Sequence, residues 1–282
     1  MSEKIQDPHN ATLIDRVDVH ESLAIFRVSL DAAPIPDFAP GQFTTLGLAD
    51  PDADPDAEPQ PNSPRARRTS GDGHTPKMIR RAYSISSPAT EKHYLEFYLV
   101  HIEEGRLTAF LWPMNTGSRL FMDPRIKGSF TLDGVSEDSD LIMVGTGTGL
   151  APLLSMYLTY RGTGRWRRFI LLEGCRYARD LAYREQLTRM AEKDPTFTYL
   201  PTVTREPPDS PWPGLRGRIH DILRSDRFSQ LTGDELSPKH CHIFLCGNPA
   251  MIDQAEARLQ RQGFMACDRE NPQGNIHFER YW

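Results

Sequence analysis

Leu141-Ile142-Met143-Val144-Gly145-Thr146-Gly147-Thr148-Gly149-Leu150-Ala151-Pro152 decides the fold of the second half of the chain. Four apolar residues in a row suit a strand buried on both faces, and residues 151–159 then suit a helix. Three alternating glycines join the two. Such a turn lets backbone N–H groups approach a phosphate closely. The spacing is G-x-G-x-G, not G-x-G-x-x-G, so the usual dinucleotide fingerprint is not met. A plain strand-to-helix connection explains such a turn about half the time.

Downstream, the same rhythm repeats. Strands are predicted at 168–172, 197–203, 242–245 and 275–281. Helices are predicted at 180–192 and 249–261, with a short helical segment at 219–224. Strands alternating with helices imply a parallel sheet covered on both faces, with ligands at the carboxyl ends of its strands. Upstream the rhythm differs. Residues 12–19, 23–30, 42–48, 81–85 and 94–101 read as short strands between Pro, Gly and Asp, which implies an antiparallel barrel or sandwich. Residues 50–77 alternate Asp with Pro and Ala and then carry Arg65, Arg67 and Arg68. They read as a long flexible insertion. The expected class is α+β with two domains: an antiparallel β-barrel at 1–136, and a Rossmann-like α/β domain at 137–282.

Composition narrows the function classes. A net charge of −5 gives no reason to expect a nucleic-acid partner. Cys175, Cys241, Cys246 and Cys267 have neither zinc nor iron–sulfur spacing and suit a reducing cytosol. His240 and His242 lack further ligands at metal spacing, so no metal is expected. No apolar run approaches the ~18 residues of a membrane span, and the N-terminal residues are polar. A cytoplasmic protein without membrane contact is the expectation.

Arg81-Ala82-Tyr83-Ser84-Ile85-Ser86-Ser87-Pro88 carries the chemistry of the first half. On a strand, Arg81 and Tyr83 share one face and Ala82 and Ser84 the other. A guanidinium forks onto phosphate oxygens, an aromatic ring offers a flat face, and a hydroxyl both donates and accepts. Taken alone, an ordinary strand is the better explanation of so short a motif. Arg176, Arg205 and Arg218 lie at or beyond the ends of successive strands and suit a 2′-phosphate. Glu173 nearby would favour the free hydroxyl of NAD. An aromatic pair such as Tyr281-Trp282 makes most sense packed on a large planar ligand.

Arg81-Ala82-Tyr83-Ser84-x-x-Ser87, Gly145-Thr146-Gly147-Thr148-Gly149-x-Ala151-Pro152, Cys246-Gly247-Asn248-Pro249 and Tyr281-Trp282 occur in that order across nearly the whole chain. Together they resemble the ferredoxin–NADP reductase superfamily, and most nearly its bacterial ferredoxin (flavodoxin)–NADP reductases. The resemblance implies FAD and NADP as cofactors. For FAD it implies Arg81, Ala82, Tyr83, Ser84, Arg106, Leu107, Thr108, Tyr281 and Trp282: Arg81 at the pyrophosphate, Tyr83 at the flavin face, Ser84 at the flavin N5 edge, and Thr108 opening a helix toward the pyrophosphate. It further implies Tyr281 over the flavin and Trp282 at the adenine. For NADP it implies the residues of the glycine turn, Arg176, Arg205, Arg218, Cys246 and Gly247. Ser84, Cys246, Glu279 and Tyr281 are the expected catalytic set. The expected enzyme is a monomer that exchanges hydride with NADP(H) and electrons with ferredoxin or flavodoxin. The alternatives are a reductase component serving an oxygenase or other acceptor, and a flavin-binding relay or regulatory subunit.

Overall fold

The computed structural model describes residues 7–50 and 77–281. All but the two end residues of the predicted insertion, and Trp282, lie outside the described residues. In the first half, β1 (Ala11–His20), β2 (Leu23–Leu30), β3 (Phe43–Ala49), β4 (Met78–Ser84), β5 (Leu95–Val100) and β6 (Arg119–Met122) form one antiparallel sheet. Its order is β4-β3-β6-β1-β2-β5. β1 and β2 form a hairpin closing at His20↔Leu23. The chain leaving β4 bridges back to β5 at Ile85↔Phe97, so the two edges of the sheet meet and it curls into a barrel. Alternate residues of these strands, among them Leu13, Phe26, Leu46, Phe97 and Leu120, fill the interior. A four-residue helix, α1 (Thr108–Leu111), follows β5.

The second half is a parallel sheet of β7 (Asp140–Thr146), β8 (Arg168–Cys175), β9 (Phe197–Val203), β10 (Leu215–Arg216), β11 (Cys241–Gly247) and β12 (Ile276–Arg280), in the order β10-β9-β8-β7-β11-β12. α2 (Leu150–Tyr160) and α3 (Arg184–Lys193) cover one face, and α4 (Ser225–Thr232) and α5 (Pro249–Gln260) the other. The chain leaves β7 toward β8 and β9 and later returns to the opposite side of β7 with β11. The strand order therefore reverses between β7 and β11, where open α/β sheets bind ligands. The glycine turn and Cys246-Gly247 both sit there.

The two sheets share one packed seam. Leu23, Ile25 and Tyr98 of the barrel join Leu141, Met143, Leu171 and Tyr199 of the parallel sheet in one apolar cluster. Tyr98 Oη donates to the Asp180 carbonyl at 2.7 Å and Tyr183 Oη to Glu96 Oε1 at 2.9 Å. Ser155 Oγ donates to the Ser87 carbonyl at 2.7 Å.

The elements depart from the sequence reading in four places. β6, β10 and α4 were not anticipated. The helix expected from 180 begins at Arg184, because Ala178–Asp180 is a 3-10 turn whose Asp180 carboxylate accepts from the Tyr177 N–H at 3.0 Å.

Candidate functional site

β4 ends at Ser84 on one side of the seam, and β11 and β12 end side by side on the other. The register pairs buried Cys246 with half-buried Glu279. Ser84 Oγ donates to Glu279 Oε2 at 3.3 Å across the seam. Burial raises Glu279 above the usual carboxylate range, and the Ser84 hydroxyl opposes that rise. Tyr281 closes the group: its N–H donates to the Gly247 carbonyl at 3.2 Å, and its ring packs on the shared apolar cluster. Its Oη lies beside Ser84 and Cys246, yet finds no well-aligned hydrogen-bond partner among the described residues. Burial pushes the Cys246 thiol well up, so it stays a protonated, apolar wall rather than a nucleophile. Thus the structure brings Ser84, Cys246, Glu279 and Tyr281 into one cluster.

Glycine is required at this junction by contact as well as conformation. A Cβ on Gly149 would stand 2.4 Å from the Cys246 carbonyl oxygen. Gly247, at φ +122°, would place a Cβ 2.4 Å from Thr146 Oγ1. Both glycines therefore let two strand ends touch. Thr146 Oγ1 accepts from the Asn248 N–H at 3.0 Å, and Asn248 caps α5. Gly147 differs: its φ is +54°, and a Cβ there would meet nothing within 4 Å. It faces open space, as does a turn that can receive a ligand. Gly145 is buried under Leu150 and Leu153, and Thr148 completes the turn into α2.

β4 is an edge strand, so part of its backbone donors and acceptors face away from β3. Arg81 and Ala82 are exposed on it, and among the described residues the Arg81 guanidinium bonds only to the Arg80 carbonyl, at 2.8 Å. Tyr83 is half-buried against the barrel core, which raises its phenol to about 12. An edge strand bearing an exposed guanidinium, a ring and a hydroxyl fits a flavin nucleotide. The neighbouring α1 departs from expectation. The Thr108 hydroxyl does not open the helix toward a ligand: it donates back to the Ile102 carbonyl at 3.0 Å and is buried. Leu107 is buried in the barrel core, leaving only its main chain to a ligand, and Arg106 pairs with Asp50 at 3.0 Å.

Arg176, Arg205 and Arg218 are exposed beyond β8, β9 and β10. The Arg205 N–H donates to the Arg176 carbonyl at 2.8 Å, which holds the two loops together. Among the described residues none of the three side chains makes a hydrogen bond or ion pair. Arg218 also lines a cleft of about 270 Å³ with Arg216, Arg224 and Arg227. Those three escaped the sequence reading, although four arginines within 216–227 were a visible signal. Glu173 is a correction. It is fully buried, accepts a short hydrogen bond from Tyr199 Oη, and cannot reach a ribose at the surface. The carboxylate weighed against NADP is absent from the rim. Glu96 and Tyr183, which bond to each other across the seam, were not singled out. A lone Glu inside the apolar run Leu95-Glu96-Phe97 was the available signal.

His240 lies with Asp140 and Cys241 at the opposite end of the parallel sheet, their ligand-type atoms within 4.8 Å. Arg167 forks onto both Asp140 oxygens at 3.0 and 2.7 Å and cancels the charge a cation would need.

Residues 143–257 match the oxidoreductase NAD-binding domain family. The chain is 30% identical to the flavodoxin/ferredoxin–NADP reductase of Buchnera aphidicola subsp. Baizongia pistaciae, over 89% of this chain and 90% of that one. It is 28% identical to the Escherichia coli protein of the same name, over 92% and 93% of the two chains. Its fold is similar to that of a ferredoxin NADP+ reductase from Neisseria gonorrhoeae, solved with FAD and NADP bound. The TM-score is 0.79 and the identity 23%, over 98% of this chain and all of the other. At 30% identity over 89% of this chain and 90% of that relative, this chain belongs to the ferredoxin/flavodoxin–NADP reductase family.

Proposed function

We propose that this chain is an FAD-dependent oxidoreductase that passes hydride between NADP(H) and FAD, and single electrons between FAD and a ferredoxin or flavodoxin. The observation that carries the reading is the convergence of Ser84, Cys246, Glu279 and Tyr281 where the barrel edge meets the switch point of the parallel sheet. FAD would supply the conversion between a two-electron donor and a one-electron acceptor. Everything else falls to this chain. Arg81, Ala82, Tyr83 and Ser84 on β4 would hold the flavin nucleotide, with the main chain of residues 106–108 near its phosphates. Trp282, outside the described residues, would lie against the adenine.

The Ser84 hydroxyl gives its proton to Glu279 and so offers its free lone pairs to whatever reacts beside it. Cys246 and Tyr281 wall the same space and keep water out of it. The open side of Gly147, with Thr146 and Thr148, would receive the nicotinamide nucleotide. Arg176, Arg205 and Arg218 would take its 2′-phosphate. Residues 1–136 would thus serve FAD and residues 137–282 NADP(H).

We assign the protein to the cytoplasm as a monomer. Among the described residues no helix is long and apolar enough to cross a membrane. The deciding assay is NADPH-dependent cytochrome c reduction by the flavin-loaded protein, with and without added ferredoxin or flavodoxin. Stimulation by either carrier is expected. A flavin that stays oxidised in excess NADPH would overturn the reading.

A further inference from the structure

Behind the glycine turn lies a buried pair that the proposed reaction does not use. Glu173, on β8, points to the seam side of the parallel sheet, where Tyr199 Oη donates to its Oε2. The Cys175 sulfur, two residues on, lies 4.0 Å from Glu173 Oε1 and 3.8 Å from the Asp180 carbonyl oxygen, with one proton to share between them. On its other side the Cys175 sulfur faces the main-chain N–H of Gly147. The opposite side of Gly147 is open. A continuous path therefore runs from Tyr199 through Glu173 and Cys175 to the turn.

We propose that Glu173 is a positioning residue for nucleotide binding: protonated, it backs the Cys175 thiol against the glycine turn, and ionised, it sets a negative charge behind the surface that receives an anionic diphosphate. This rests on the functional reading above, because it requires a nucleotide at the turn. The charge is poorly screened there. Tyr199 from β9 and Tyr98 from β5 face the group, with Tyr183 edge-on to Tyr98 at 5.3 Å. All are neutral donors raised by burial. The Asp180 carboxylate, beside Cys175, is turned to His20 Nε2 at 3.2 Å. Among the described residues no lysine or arginine pairs with Glu173. Burial pushes its carboxyl up to about 7, against the pull of Tyr199. Both charge states are thus populated near neutral pH.

The test is calorimetric titration of the FAD-loaded protein with NADP+ from pH 6.5 to 8.5, for wild type and Glu173→Gln. A buried charge behind the turn should weaken wild-type binding by about tenfold across that range. Glu173→Gln, which keeps the shape and stays neutral, should be flat by comparison. A second measurement needs no variant. At pH 7.5, above the range near 6 where a phosphate monoester titrates, wild-type binding should take up protons, read by repeating the titration in buffers of different ionisation enthalpy. Superimposable pH profiles, or no proton uptake, would overturn this inference alone. No NADP+ binding at any pH would overturn the functional reading, and the inference with it.

Discussion

At the carboxyl ends of β7 and β11, Ser84, Cys246 and Glu279 are held by one another and by the Tyr281 main chain. At the ends of β8 and β9, Arg176 and Arg205 carry exposed guanidiniums without partners among the described residues. Both groups are site residues that the family resemblance implies. They differ in what fixes them. The first has a geometry that the fold imposes before any ligand arrives, so it is preorganised and sensitive to small changes in packing. The second is fixed by little besides a main-chain bond, and its charges act weakly in water until a ligand excludes that water. Damage to the first should touch chemistry and folding together. Damage to the second should touch only the choice of ligand.

The sharpest way to break this contrast is Ser84→Ala. It removes the donor that Glu279 accepts from and leaves that half-buried carboxyl without it. Hydride transfer from NADPH, followed by stopped-flow bleaching of the flavin, should slow by about 10²–10³, or roughly 2.7–4 kcal/mol. An unchanged rate would mean that the cluster is packing and nothing more.

Glu173→Gln probes the interior behind the turn through stability. The folded carboxyl titrates at about 7, above the ordinary 4.5 of the unfolded chain. Between those values the folded state keeps a proton that the unfolded state has lost, so wild-type stability falls as pH rises from 4.5 to 7 and then levels off. The variant has no such loss. At pH 8 it should exceed wild type by on the order of 3 kcal/mol, the gap closing toward pH 4.5. Urea unfolding at the two pH values checks it.

Arg205→Ala or Arg218→Ala should leave folding and the rate with saturating nucleotide intact while raising KM for NADPH about ten- to a hundred-fold, with little change for NADH. Equal loss with both nucleotides would erase the contrast drawn here. Tyr281→Ser carries the smallest expected effect. Its ring packs on the shared apolar cluster while its Oη lacks a partner among the described residues, so displacing the ring costs about 0.5–1.5 kcal/mol beyond area burial. Removing it should tighten NADP+ binding by up to about tenfold, measured by difference absorbance of the flavin.

The parallel sheet was legible because its central strands carry apolar runs at 141–144, 169–172 and 243–246, and the barrel because its longer strands lie between turn residues. β6 escaped because its four residues, Arg119–Met122, are too few to show a period. α4 escaped because Phe228 is the one buried side chain in a polar octet. Ser84 and Cys246 could be found through the motifs that carry the family resemblance, Arg81-Ala82-Tyr83-Ser84 and Cys246-Gly247-Asn248-Pro249. The Thr108 hydroxyl and the Glu173 carboxyl lie elsewhere than expected for a shared reason: residue type does not say which neighbour consumes a polar group. The Ile102 main chain takes the Thr108 hydroxyl, and Tyr199 takes the Glu173 carboxylate.

The Ser84–Glu279 contact spans 195 positions of the chain. Closing so long a loop early in folding is entropically unfavourable, so the bond should form only after each sheet has collapsed and the two have docked. Its timing also sets its fragility. A partial opening at the seam would separate Ser84 from Glu279 while leaving every helix and strand in place. In mild denaturant, NADPH oxidation should therefore vanish before the far-ultraviolet circular dichroism changes, and the enzyme's working life would be set by how often its two halves part rather than by how often it unfolds.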